Sequence, residues 1–213
     1  MKGIRIKLSK IVLINLICVV CLFVSFNKDK ANAISLLEPI NLTEKFEKFD
    51  NKEEFKNYYR NEIELRTDNE RQREMVLNNI YKVQDYLRYL EIDIKLIDRD
   101  EMEEIAEAYG VSHFNGLYNV NSNELYLVGY DTDTSIHEIG HAIYYQILND
   151  FERSNINSLF ETEKNGLIDS YGTTNKEEFF AVAFTEYIYS EDTLKENCTE
   201  TYNFFKMLEE KVK

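Results

Sequence analysis

Residues 137–141 read His137-Glu138-Ile139-Gly140-His141, and this pentapeptide restricts the fold more than any other stretch. Its two histidines can meet one partner if the backbone between them is helical, because residues four apart then lie one above the other on a single face. The flanks agree. Thr134, Ser135, Ile136, Ala142, Ile143, Tyr144, Tyr145, Ile147 and Leu148 contain no proline and place apolar groups at helical spacing. Thr134 or Ser135 suits a helix start. On such a helix both imidazoles can bind one metal ion, with Glu138 beside it. That is the donor pattern of a zinc hydrolase, in which the carboxylate takes a proton from a zinc-bound water. The chain has only three histidines, so chance rarely sets two of them in this frame.

A catalytic zinc takes three protein ligands and keeps one position open. The extended pattern HExxHxxGxxH is excluded, since Tyr144 stands at the glycine place and Ile147 at the last histidine place. Glu161, twenty residues after His141, is one candidate for the third ligand. Glu177, Glu178, Glu186 and His113 are the others, and spacing does not choose among them.

The setting of the motif is helix-rich. One proline and seven glycines leave few breakers, while 15 Tyr and 13 Phe supply a core despite 30% charged residues. The length suits one main domain. Residues 1–33 read as a secretory signal peptide. Lys2, Arg5, Lys7 and Lys10 form a basic start, residues 11–26 are apolar except for Asn15 and Ser25, and Ala31-Asn32-Ala33 offers a cleavage site before Ile34. The apolar run is short for a membrane span of ~20 residues. The expected product is a secreted, extracellular protein with no stable membrane association. Residues 1–33 carry six basic groups and one acid, so the formal charge of −14 becomes −19 once they are removed. Such a surface disfavours nucleic acid and anionic membrane as partners and can attract basic ones. Cys18 and Cys21 leave with the signal, so Cys198 has no partner for an internal disulfide.

Apolar periodicity predicts one or two amphipathic helices over 44–65 and a single helix over 69–90. Residues 92–97 alternate as a strand, and residues 101–108 form a short helix before Gly110. Leu117–Val120 and Leu125–Val128 flank Asn121-Ser122-Asn123-Glu124, a hairpin signal. The second of these strands leads into the motif helix and could pair with an extended substrate. Helices are also expected over 156–163, over 176–189 with Thr174 or Asn175 as N-cap, and over 199–212.

The run from Ser170 to Ala181, with Ala183-Phe184 beyond it and His137–Ala142 upstream, resembles the catalytic domain of anthrax lethal factor. The layout of the whole chain resembles the small secreted Pro-Pro endopeptidases of the same clan. The specific resemblance covers residues 115–212. It implies an α+β, mostly helical, zincin-like domain with a small mixed sheet and an HExxH helix. Residues 34–213 would form that single domain, with N-terminal helices over 34–90 and the catalytic part over 91–213. By position, the resemblance implies that His137, His141 and Glu178 bind one zinc ion. Glu138 is then the general base, and the Tyr171 hydroxyl stabilises the oxyanion. The implied activity is that of a zinc endopeptidase acting on an extended protein or peptide substrate, and the chain is expected to be a monomer.

Two departures from the pattern stand out. Val182 replaces an acid of the family, and Glu186, one turn further on, is the candidate substitute. The chain has no Trp, so the glycine- and Trp-containing substrate loop of the Pro-Pro endopeptidases is missing, which argues against proline-directed cleavage. The replacement at Val182 also admits a second reading, an exported binding domain that keeps the fold without turnover.

Overall fold

The computed structural model describes residues 42–65, 70–110, 114–128 and 133–213. The expected signal peptide, His113 and residues 129–132 lie outside them. Residues 42–51 form no helix. Asn51 opens α1 (Lys52–Glu62) by accepting the Glu54 N–H at 3.0 Å. Phe46 and Phe49 precede that cap in irregular chain, yet both rings reach Tyr58, at 5.5 and 5.3 Å between centroids. Their helix-like spacing is satisfied by tertiary packing instead.

A two-residue strand, β1 (Glu64–Leu65), follows. The helix expected over 69–90 is broken into α2 (Glu70–Ile80), a 3-10 turn at Tyr81–Val83 and α3 (Gln84–Leu87). Ile80, Tyr81 and Val83 are weak helix formers, and Val83 leaves the helical region at φ −118°, ψ 22°. The break lets Tyr81 meet Phe55 while Tyr86 meets Phe184 edge-on, at 5.3 and 5.2 Å.

Then come β2 (Asp93–Leu96), α4 (Arg99–Ala108), β3 (Gly116–Asn119) and β4 (Glu124–Leu127). The hairpin turn places Asn123 at φ 56°, a conformation Asn tolerates better than most residues. The sheet order is β1-β2-β4-β3, with β3 alone antiparallel to its neighbour. β4 is therefore interior, paired on both sides, and the free edge on this side belongs to β3. This corrects the expectation that β4 would receive an extended substrate.

The motif helix, α5, spans Thr134–Gln146, and α6 (Asp150–Glu163) follows it behind an Asn149/Glu152 capping box. The final helices are α7 (Lys176–Tyr189), α8 (Glu191–Asn197) and α9 (Thr199–Val212). The architecture is thus α+β and mostly helical. Among the described residues no helix is long and apolar enough to cross a membrane.

The core centres on α7, whose Phe179, Phe180, Ala183 and Phe184 are fully buried. It packs closely on α5 because Gly140 faces it: a Cβ at Gly140 would stand 3.0 Å from the Cα of Ala181. Gly140→Val gains a few tenths of a kcal/mol in helix propensity and costs ~1–3 kcal/mol in overpacking. The second term wins. The variant is expected to melt at lower temperature and to retain metal less well, both measurable by calorimetry and metal analysis. A parent-like melting temperature would show that the two helices separate without cost.

Candidate active site

Three elements bring the candidate side chains together. α5 carries His137, Glu138 and His141, α7 carries Glu178, and the turn before α7 carries Tyr171. The Nε2 atoms of His137 and His141 lie 3.2 Å apart, and Oε2 of Glu178 is 3.1 Å from the first and 3.3 Å from the second. These three residues could hold a metal ion. Their nitrogen and oxygen donors are the kind that bind zinc in three-ligand catalytic sites. Asn175 fixes the approach of Glu178, because its side chain accepts the Glu178 N–H at 2.8 Å and so caps α7.

The other candidates lie elsewhere. Glu161 is exposed on α6 with Lys164 at 3.5 Å. Glu177, one residue before Glu178, stands at the cleft wall with Lys176 at 4.0 Å. Glu186 is buried on α7 and is not among the converging donors.

Glu138 is 7% exposed, and its Oε2 accepts the Tyr118 N–H of β3 at 2.8 Å. The strand comes this close because residue 116 is glycine. A Cβ there would meet Glu138 Cγ at 2.8 Å and Oε1 at 2.9 Å. Burial pushes the Glu138 carboxyl up, against the pull of the two imidazoles and the Tyr118 N–H. Burial alone would lower His141, but Glu178 and Glu138 outweigh it and hold the imidazole above its usual value. Glu178 is also raised by burial, yet its bonds to the two histidines bring it down to about 2.

Tyr171 sits in a 3-10 turn, Ser170–Thr173, with its ring 6.0 Å from that of His137. The residue is 53% exposed and lines the cleft. Burial of the hydroxyl and the charges of Glu178 and Glu138 raise its pKa, so it is a proton donor at neutral pH. The backbone of the turn is tied down from two directions. Asp169 Oδ1 accepts the Tyr171 N–H at 2.9 Å. Glu186 Oε1 accepts the N–H groups of Ile168 at 2.7 Å and Asp169 at 3.2 Å. Glu186, the candidate substitute for the acid missing at Val182, thus faces the turn and bonds its backbone. Val182 faces it as well, since a Cβ at Gly172 would meet Val182 Cβ at 3.2 Å.

These groups line a cleft of about 890 Å³. Among the described residues its lining begins at Phe114. The helices before that residue brace the back of the core, as the Tyr86–Phe184 contact illustrates. The register of the hairpin also defines one wall. Val128 N–H donates to Asn115 O at 2.8 Å, and Tyr118 N–H leaves the sheet for Glu138. Alternation then turns the backbone N–H and C=O groups of Asn115, Leu117 and Asn119 toward β4, and those of Gly116 and Tyr118 away from it, the Tyr118 N–H to Glu138.

No curated protein matches the chain. Among solved structures, the Pro-Pro endopeptidase PPEP-2 from Paenibacillus alvei shares the fold, with a TM-score of 0.51 at 23% identity over 68% of this chain and 95% of that one. The arrangement is accordingly zincin-like, with a small mixed sheet beside the HExxH helix. Residues 51–208 match the family described as anthrax toxin lethal factor, N- and C-terminal domain, and the chain belongs to that family.

Proposed function

We propose that the protein is a secreted zinc endopeptidase that hydrolyses peptide bonds in extracellular or surface proteins. The observation that carries this reading is the convergence of His137, His141 and Glu178 beside a buried carboxylate, Glu138, held by a backbone N–H. The first three would hold one zinc ion. Bound there, zinc supplies Lewis-acid polarisation and an acidified water. With the metal held there, Glu138 would take a proton from the attacking water through Oε1, since Oε2 is engaged by the Tyr118 N–H. It is prepared for this because burial raises its pKa toward that of a working general base. Glu138 then returns the proton to the leaving amine. Tyr171 donates its hydroxyl proton in a hydrogen bond to the oxyanion. The β3 edge, where the backbone groups of Gly116 and Tyr118 point away from β4, suits a substrate in extended form.

Six acids line the described cleft, namely Asp133, Glu138, Asp169, Glu177, Glu178 and Glu186, with no Lys or Arg among them. A single divalent ion does not neutralise them, so peptides with lysine or arginine near the scissile bond are favoured. The test is digestion of a peptide mixture by the zinc-loaded protein, by the chelated protein and by Tyr171→Phe. Cleavage is expected only with zinc. Tyr171→Phe is expected to keep its zinc and to lose ~100- to 1,000-fold in kcat, the scale set by removal of one oxyanion donor. Stoichiometric zinc without cleavage of any peptide would favour the binding-domain reading.

A further inference from the structure

We infer that Glu186 is a positioning residue, clamping the turn that carries Tyr171 onto the same helix that carries Glu178. The inference rests on the role of Tyr171 proposed above. α7 presents Glu178 in its first turn and Glu186 two turns later. Glu186 is 7% exposed, and one of its oxygens, Oε1, receives both the Ile168 and the Asp169 N–H. Asp169 passes the constraint on, since its Oδ1 accepts the Tyr171 N–H at 2.9 Å. On the far side of Tyr171, Gly172 rests against Val182, one turn before Glu186 on the same helix face. The tyrosine is thereby held on both flanks by α7. The distance from its hydroxyl to the metal ligands is then set by one rigid helix and not by a free loop.

Burying a carboxylate is costly, and here burial raises its pKa. A leucine would fill the volume without that cost, but it would leave two backbone donors unpaired. What the acid adds is a bidirectional anchor at a defined point. The clamp requires an acceptor oxygen and no charge, so Gln can supply it.

The test uses the zinc-loaded protein and its Glu186→Ala, Glu186→Gln and Asp169→Ala variants, each with Tyr171 intact and as Tyr171→Phe. Glu186→Ala is expected to retain one zinc per chain. Its KM should stay within about twofold and its kcat should fall ~10- to 100-fold, the loss typical of a misplaced catalytic group. Amides 168–172 should exchange with solvent faster. In the Tyr171→Phe background the same substitution is expected to cost nothing further in kcat, because the clamp acts through that hydroxyl. Glu186→Gln should restore most of the turnover. Asp169→Ala breaks the second link and should give the same kcat pattern, so the proposal stays testable if Glu186→Ala does not fold. Full kcat in Glu186→Ala, or a kcat loss of equal size in both backgrounds, would overturn the inference. Hydrogen exchange reads the clamp without turnover. Unchanged exchange overturns the clamp alone, whereas full kcat in Tyr171→Phe overturns the catalytic reading and leaves the clamp standing.

Discussion

Glu138→Gln is expected to keep one zinc ion per chain and to reduce peptide cleavage below detection. The substitution isolates one property. The amide oxygen of Gln can still accept the Tyr118 N–H that Glu138 Oε2 accepts at 2.8 Å, and the side chain still fills the space beneath Gly116. Only the ability to take and return a proton is lost. General-base catalysis is worth ~100- to 10,000-fold, and in the proposed mechanism one group serves both the attack and the departure of the amine, so the upper end is expected. The check is kcat on a cleaved peptide beside metal analysis of the same sample. Activity within tenfold of the parent would remove Glu138 from the mechanism.

Glu178→Ala is expected to abolish activity by a different route, through loss of the metal. Two imidazoles remain on α5, but no third donor comes from α7, and an isolated His pair holds zinc far more weakly than three ligands. Glu161→Ala is the control. Its carboxylate is exposed and paired with Lys164, so zinc and turnover should be unchanged. The measurement is zinc per chain after dialysis against a weak chelator. Retention of stoichiometric zinc in Glu178→Ala, or its loss in Glu161→Ala, would reassign the third ligand.

Local signals in the sequence carried the parts of the fold on which these experiments depend. The α7 boundaries follow from Asn175 as a cap and Glu177 and Glu178 in the first turn, and α9 follows from its apolar spacing. An Asn149-x-x-Glu152 capping box also marks where α6 begins, at Asp150, six residues before the expected start at Ile156, because a cap fixes an end that apolar spacing does not. Non-local features stayed hidden. Phe46 and Phe49 mimic a helical stripe while packing as irregular chain. β1 is too short to alternate. α8 lacks an apolar stripe, with only Leu194 buried. Which strand owns the sheet edge depends on pairing between residues ~30 apart, for which no local pattern exists. The site shows the same division. HExxH is a single-turn pattern and is legible as a sequence. Glu178 and Glu177 have the same chemistry in adjacent positions, and only the packing of α7 on α5 turns one of them toward the histidines. Glu186 gave no sign of its partners, since both are backbone N–H groups in a turn without a motif.

The hydrogen bond from Tyr118 to Glu138 has a consequence for handling the protein. An open sheet edge is a template on which a second chain can add as a strand, and proteins commonly block such edges. Here Glu138, the proposed general base, occupies one of the outward donors of β3. Truncating it to alanine would unmask that donor beside an exposed Val120 and invite self-association, so an inactive form made for substrate capture should carry Gln at this position. In this protein the carboxylate that would take the proton also holds one donor of the sheet edge along which an extended substrate would lie.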